Sequence, residues 1–264
     1  MIDLLWLLSI GLMGGIIAGY LGIGGGAIFV PLLMFLLSNK VSPELLPKIT
    51  VATSMGAIVL TSAAGSFRHW KAKNVDLSIW TKLAIGAVIG ALFGGLIVKS
   101  IPGHILKQMI GVVLFIISIR MFIKPKKAPQ DDYNGNDWWL VPIGLVMGVI
   151  ASTVGVGGGM LCVPFLVCIL HLNSHKCAGT SSAITLVLSL SGLIGHIYWG
   201  STVSGRPPGT LGFMYVPYSA ILGVMGAVGA CLGVSLHKRF KPRIFRIAFA
   251  VLLLIASAKI IFGG

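Results

Sequence analysis

Eight apolar runs, separated by short polar segments, dominate the chain. They cover about residues 4–37, 49–67, 83–98, 105–123, 138–170, 178–198, 213–236 and 244–262. Runs of about 17–25 apolar residues have the length of a helix that crosses a membrane. The pattern therefore predicts an all-α polytopic membrane protein.

The second half of the chain repeats the first. At an offset of 133 residues, the glycines and proline at 15, 22, 24, 25, 26 and 31 recur at 148, 155, 157, 158, 159 and 164. At an offset of 127, Ser54 falls on Ser181 and His69 on His196, and at an offset of 139 Arg120 falls on Lys259. We therefore predict two repeats, 1–123 and 138–264, joined by a polar linker at 124–137. Internal duplication is typical of secondary transporters.

Composition narrows the class of protein. Only 10% of the 264 residues are charged, and Lys and Arg outnumber Asp and Glu by 20 to 6. An ordinary soluble domain carries about 25% charged residues, so a soluble fold, a disordered chain and a nucleic-acid-binding protein are all disfavoured. The basic residues lie between the apolar runs, as they do in the loops of a membrane protein.

The distribution of Lys and Arg indicates how the two repeats are oriented. If the first and fifth runs each cross the membrane once, the loops divide the basic residues ten against ten. If each of these runs enters and returns at an internal glycine cluster, the loops at 68–82, 120–137, 171–178 and 237–246 carry fourteen of the twenty. Only the second arrangement satisfies the positive-inside rule. We therefore predict two inverted repeats with glycine-broken helices, a cytoplasmic linker and both termini outside the cytoplasm. Whether the first arm of each broken run crosses completely stays open.

The glycine clusters, Gly-Ile-Gly-Gly-Gly at 22–26 and Gly-Val-Gly-Gly-Gly at 155–159, are the first candidate site. Each glycine costs a helix about 1 kcal/mol relative to alanine, and a break within a membrane is tolerated only inside protein or beside a wet cavity. A half-helix that starts after such a break presents N–H groups and a positive dipole end, which suit an anion. On this hypothesis, valine at Gly25 or Gly158 should weaken binding more than folding.

Tight helix packing is the alternative role for glycine in a membrane bundle. It stays open for the two clusters. We expect it for the glycines of the third run, which are Gly86, Gly90, Gly94 and Gly95.

Hydroxyl and imidazole groups supply the other candidates. Asp and Glu are absent from all eight apolar runs, where a cation pathway normally places them. The Thr and Ser residues that begin the second run of each repeat either cap helices or bind a ligand. The candidate substrate-binding residues are Gly22, Gly24, Gly25, Gly26, Thr53, Ser54, Gly155, Gly157, Gly158, Gly159, Thr180, Ser181 and Ser182.

Two histidines end the same runs. His69 lies in a basic and aromatic segment, 68–71, that is typical of a membrane interface, and His196 lies in an apolar setting. Both are candidates for gating or proton transfer, and structural hydrogen bonding is the alternative.

One motif resembles that of a known family. The pattern Gly-x-x-x-Gly-x-x-Gly-x-Gly-Gly-Gly-x-x-x-x-Pro stands at 15–31 and recurs at 148–164, with Ser152 in place of the second glycine. Together with Ala-Thr-Ser at 52–54 and Gly-Thr-Ser-Ser at 179–182, it resembles the TauE/SafE family of sulfite and organosulfonate exporters. The resemblance implies export of small sulfur oxyanions, such as sulfite or sulfoacetate, across the bacterial cytoplasmic membrane. Because Ser152 replaces a glycine, the two loops need not be equivalent.

We therefore predict a multi-pass transporter of the bacterial inner membrane, not an enzyme, that exports a small sulfur-containing anion by alternating access. A passive anion channel is the alternative. We expect no cofactor and no metal, because the sequence offers no nucleophile–base or metal-ligating cluster. The expected partners are the small anionic substrate and the lipid bilayer, and not nucleic acid. A homodimer, the coupling ion and the identity of the anion stay open.

Overall fold

The computed structural model describes residues 2–122, 138–236 and 242–262. Within these ranges the chain forms ten α-helices and one two-stranded hairpin. In chain order the elements are α1 (Ile2–Leu21), α2 (Gly26–Leu37), α3 (Leu46–Lys71), α4 (Leu77–Ser100), α5 (Gly103–Phe122), α6 (Leu140–Val154), α7 (Gly159–Cys168), α8 (Ser174–Ser201), β1 (Thr210–Leu211), β2 (Met214–Tyr215), α9 (Val216–Leu236) and α10 (Pro242–Phe262).

The predicted all-α membrane fold is confirmed. Among the residues that the structure describes, six helices, α1, α3, α4, α5, α8 and α9, are long and apolar enough to cross a membrane. The first and fifth apolar runs are each broken at their glycine cluster, into α1 and α2 and into α6 and α7. At about 1.5 Å per residue, the 12-residue α2 and the 10-residue α7 extend only partway across a bilayer.

Polar side chains fix where several helices begin. The Asp76 carboxylate accepts a hydrogen bond from Ile79 N at the start of α4, and the Asn173 side chain accepts one from Lys176 N at the start of α8. At the start of α5, Gly103 N donates to the Glu44 carboxylate over 2.8 Å. Hydrogen bonds from Lys48 and from Gly103 N hold the pKa of Glu44 below its usual value.

Glycine contacts hold each first arm against a helix of the other repeat. Along α1, Gly15 meets the backbone of Gly226 and Gly19 meets that of Ala230, so α1 and α9 run in the same direction. Along α4, Gly86 meets Val141 in α6. The expected packing role of the third-run glycines is confirmed, because a Cβ atom at Gly86, Gly90, Gly94 or Gly95 would lie within 2.5 Å of a neighbouring helix.

The central helices α3 and α8 run in opposite directions. Gly65 in α3 lies against Ser182 in α8, and Gly192 in α8 lies against Met55 in α3. α9 is parallel to α3, and α6 is parallel to α8, so α3 and α6 are antiparallel. Since α3, α4 and α5 alternate in direction, α5 ends on the face of the bundle where α6 begins. We call this the linker face. The other, which we call the termini face, holds the start of α1 and the end of α10.

The helix directions match the predicted inverted repeats, which stay a prediction. The linker at 124–137 lies outside the described residues, as do 237–241 in the last basic loop, so the domain boundaries also stay a prediction.

Candidate functional site

Both glycine clusters adopt a backbone conformation that other residues avoid. Gly22, Gly24 and Gly25 have φ angles of 72°, 80° and 83°. The equivalent Gly155, Gly157 and Gly158 have φ angles of 78°, 76° and 68°. An L-residue with a side chain rarely adopts positive φ. These glycines therefore let each run break and start a new helix in the opposite direction.

The two loops meet at the middle of the bundle. A Cβ atom at Gly26 would lie 2.8 Å from the carbonyl oxygen of Gly155, and one at Gly159 would lie 2.6 Å from Ile23 Cα. Ile58, halfway along α3, contacts both loops. The helices α2 and α7 therefore start close together and point to opposite faces, with their positive dipole ends at the centre.

Each first arm extends beyond this centre before it breaks. The Gly22 backbone packs against Ala178 near the start of α8, and Gly155 packs against Val51 near the start of α3. Since α8 begins at the linker face and α3 at the termini face, α1 and α6 each pass the level where the loops meet. The arms of each broken run are therefore unequal in depth.

Two serines tie the loops together across the repeats. Ser54 in the first repeat donates a hydrogen bond to Gly155 O over 2.8 Å. Ser181 in the second repeat donates to Gly22 O over 2.8 Å, with a longer contact to Gly159 O at 3.3 Å. All of these groups are buried. The serine of each repeat thus holds the first arm of the other.

The neighbouring threonines each hold the start of a helix in the other repeat. Thr53 Oγ1 donates to Ile49 O and accepts from Tyr215 N, just before α9. Thr180 Oγ1 accepts from Asp76 N, just before α4. These contacts are equivalent in the two repeats, because the offset of 139 pairs position 76 with position 215. Ser182 lies against Gly65, where α3 crosses α8.

Apolar groups of α8 and α2 fill the space beside the loops. A Cβ atom at Gly24 would lie 2.5 Å from Thr185 Cγ2, and one at Gly158 would lie 2.6 Å from Leu188 Cδ1. One at Gly25 would lie 3.1 Å from the Phe29 ring. Valine at Gly25 or Gly158 would therefore meet buried neighbours as well as an unfavourable φ, so both variants should also lose folding stability. That binding falls by more than folding stability stays a prediction.

The two histidines occupy different environments. His196 is buried, and its Nε2 atom lies 3.0 Å from Ser152 O in α6. The Ser152 hydroxyl donates to Ala91 O in α4, so His196 and Ser152 join three helices just before the second glycine loop. His69 is 2% exposed, although Trp70 beside it is 53% exposed. Within this segment His69 therefore faces the protein and Trp70 faces outward, and the interface assignment stays a prediction.

The duplication contains a signal for residues that the sequence prediction missed. Ile58 and Thr185 each pack against both loops. They lie at the same offset of 127 that pairs Ser54 with Ser181. In the sequence, Ser152 stands out only because it replaces a glycine of the repeated pattern. The equivalent residue of the first repeat, Gly19, has no side chain, so the contact between Ser152 and His196 has no counterpart there.

Removing the Ser181 hydroxyl should destabilise the protein. In Ser181→Ala, the buried carbonyl oxygens of Gly22 and Gly159 lose their donor, which costs about 1–3 kcal/mol. Ser191→Ala is the matched control in the same helix, because Ser191 Oγ donates to Val187 O within α8 and not to a glycine loop. Unfolding in detergent should show the loss for Ser181 and a change under about 0.5 kcal/mol for Ser191. Equal effects would contradict the role of Ser181 between the loops.

Comparison with known proteins identifies the family. The family described as "Sulfite exporter TauE/SafE" matches residues 7–260. The chain belongs to the TauE/SafE family. A probable membrane transporter protein of Haemophilus influenzae is 28% identical over 255 residues, covering 95% of each chain. YunE of Bacillus subtilis is 24% identical, covering 98% of this chain and 97% of its own. MJ0441 of Methanocaldococcus jannaschii is 26% identical, covering 94% and 91%.

Membership and fold together establish the general function. YunE and MJ0441 are also described as probable membrane transporter proteins, not as enzymes. This TauE/SafE protein is a multi-pass membrane transporter with two glycine loops at its centre.

Proposed function

We propose that this TauE/SafE protein exports a small sulfur-containing anion, sulfite or an organosulfonate such as sulfoacetate, by alternating access. The central observation is the meeting of two helix starts at the middle of the bundle. Their N–H groups and positive dipole ends favour an anion without any charged side chain. The six long spans contain no Asp or Glu that would repel it.

The family description supports the substrate class, since it names sulfite export. The relatives' names give no substrate. An oxyanion with several acceptor oxygens suits a site built from N–H and hydroxyl donors, because each oxygen can accept more than one hydrogen bond.

The exchange of contacts between the repeats supports alternating access. Ser54 and Ser181 each bond to the opposite loop, and α3 and α8 are antiparallel. A pseudo-two-fold axis in the membrane plane would relate such halves, as in transporters with inverted repeats. The distribution of basic residues supports a cytoplasmic linker face in a bacterial inner membrane.

A thermal-shift screen tests the substrate class. The purified protein is heated with sulfite, sulfate, thiosulfate, sulfoacetate or taurine, and with chloride at the same ionic strength as the control. A ligand that binds only the folded state raises the unfolding temperature with its concentration. We expect sulfite or a sulfonate to give the largest rise. Shifts equal to that of chloride for every sulfur compound would contradict the proposal.

The two histidines are the candidates for gating or proton transfer, because no carboxylate lies in the long spans. An alkyl sulfonate that stays fully ionised separates their titration from that of the substrate. On the histidine hypothesis, its export depends on pH between about 5.5 and 8, where an unperturbed histidine titrates, and the double variant His69→Gln/His196→Gln loses this dependence. On the alternative hypothesis, in which the substrate carries its own proton, export of this sulfonate is independent of pH in both proteins. His104→Gln, on an exposed position of α5, is the control. A flat pH profile in the wild type would contradict a histidine proton carrier.

A further inference from the structure

A cavity of about 110 Å³ opens near the linker face, between α5 and α7. Leu21, Ile23 and Met160 form the wall beside the two glycine loops, and Arg120 contributes a positive charge from the last turn of α5. We call this space the linker-side chamber.

A second cavity, of about 510 Å³, lies near the termini face between α2 and α10. Its basic residues include Lys259, in the last turn of α10. The Lys259 Nζ atom lies 5.0 Å from the centre of the Phe35 ring on α2, so the lysine is directed toward the half-helix. We call this space the termini-side chamber.

The two chambers are built from equivalent positions of the two repeats. Each lies between the half-helix of one repeat and the last helix of the other. Six lining positions correspond through the offsets of 133 and 139: Pro31 with Pro164, Met34 with Val167, Phe35 with Cys168, Ala256 with Ile117, Lys259 with Arg120, and Ile260 with Met121. The duplication therefore preserves a cation in the same place on opposite faces.

The charge of the chamber walls favours anions. No Asp or Glu is among the described residues that line either chamber. A cation in a largely apolar wall raises the local concentration of small anions. A basic residue at the end of a membrane helix can also simply extend to the interface, or be attracted by the helix C-terminus. Neither of these two roles explains why Arg120 and Lys259 both line a cavity, or why Lys259 contacts the half-helix of the other repeat.

We infer that Arg120 and Lys259 are the anion-attracting residues of two access chambers, one on each face, through which the transported anion approaches the glycine loops. The linker-side chamber is lined by Leu21 and Ile23 at the first loop, and the termini-side chamber extends along α2 to Pro31. This inference rests on the proposed function and adds the route and its charged residues.

Cys168 allows a test that does not depend on transport. Its side chain is exposed and lines the linker-side chamber. In a Cys231→Ser background, its rate of modification is measured with two thiol reagents, a methanethiosulfonate that bears a sulfonate and one that bears a trimethylammonium group. We expect Arg120→Gln to lower the ratio of the anionic to the cationic rate about tenfold, and Arg120→Lys to preserve it.

Matched variants keep this test specific. Arg68→Gln removes a positive charge at the same face, where Arg68 bonds to Ser235 outside the chamber, and should leave the ratio unchanged. For the termini-side chamber, Ser38→Cys in a Cys168→Ser/Cys231→Ser background supplies an exposed thiol that lines the cavity and leaves Phe35 in place. Lys259→Gln should lower its ratio, and Lys99→Gln, whose lysine stacks over Trp199, is the control. An unchanged ratio in Arg120→Gln and Lys259→Gln, or equal effects of the control variants, would overturn the inference.

Transport from each side separates this inference from the proposed function. In vesicles of known orientation, Arg120→Gln should raise the KM for sulfite at the linker face about fivefold to tenfold, with little change at the opposite face. Lys259→Gln should show the reverse. If the wild type moves no sulfur anion but the thiol ratios still fall, the substrate assignment fails and the chambers stand. If the wild type transports sulfite but neither variant changes a ratio or a KM, the chambers fail alone.

Discussion

Replacing Gly22 with alanine should cost the protein about 2–5 kcal/mol of unfolding free energy. Its φ angle is 72°, and the left-handed conformation costs a residue with a side chain about 1–2 kcal/mol. A Cβ atom there would also lie 2.5 Å from Ala178 O and 2.7 Å from Ala178 Cα, backbone atoms of α8 that cannot simply rotate away. Overpacking of this kind adds about 1–3 kcal/mol.

Gly205→Ala separates the two causes. Gly205 has a similar φ of 78°, but the nearest atom to its added Cβ would be Leu45 Cδ1 at 4.0 Å. This variant should lose only the conformational part, about 1–2 kcal/mol. Denaturation of both variants in the same detergent gives the comparison. If Gly22→Ala loses no more than Gly205→Ala, the close approach of the first loop to α8 is not a structural requirement.

Gly90→Ala should separate α4 from α6. A Cβ atom at Gly90 would lie 2.1 Å from the carbonyl oxygen of Leu145, and neither backbone can move without disturbing the adjacent glycine contacts. The gain of about 1 kcal/mol in helix propensity is too small to offset this clash. We expect a strong loss of monodisperse protein on size exclusion and a lower unfolding temperature.

Gly65→Ala is the matched control for Gly90→Ala. Both glycines are inside membrane helices and gain the same helix propensity, but at Gly65 the nearest atom is Ser182 Oγ at 3.1 Å, the end of a small side chain. This variant should stay within about 1 kcal/mol of the wild type. Equal losses in the two variants would show that α4 and α6 tolerate wider spacing.

The sequence predicted the helices and their interruption well, because both depend on local physics. The length of an apolar run decides whether it can span a bilayer, and consecutive glycines break a helix wherever they stand. The offsets of 133, 127 and 139 also identified which residues are equivalent in the two repeats.

The partners of the site residues could not be predicted in the same way, because they depend on how the repeats pack. Nothing in the sequence around Ser54 shows that it bonds to Gly155, in the other repeat. The positions of Ile58 and Thr185 between the loops follow from the crossing of α3 and α8. The burial of His69 follows from the face it occupies on α3, whereas the composition of 68–71 indicated only the end of that helix.

Counterflow in proteoliposomes tests the transport proposal most directly. Vesicles that hold a high concentration of unlabelled sulfite are diluted into a trace of labelled sulfite, with empty liposomes as the control. An alternating-access carrier exchanges one anion for another, so the label should accumulate transiently above its equilibrium level and then decline. A label that rises only to equilibrium, without overshoot, would indicate a passive channel and contradict alternating access.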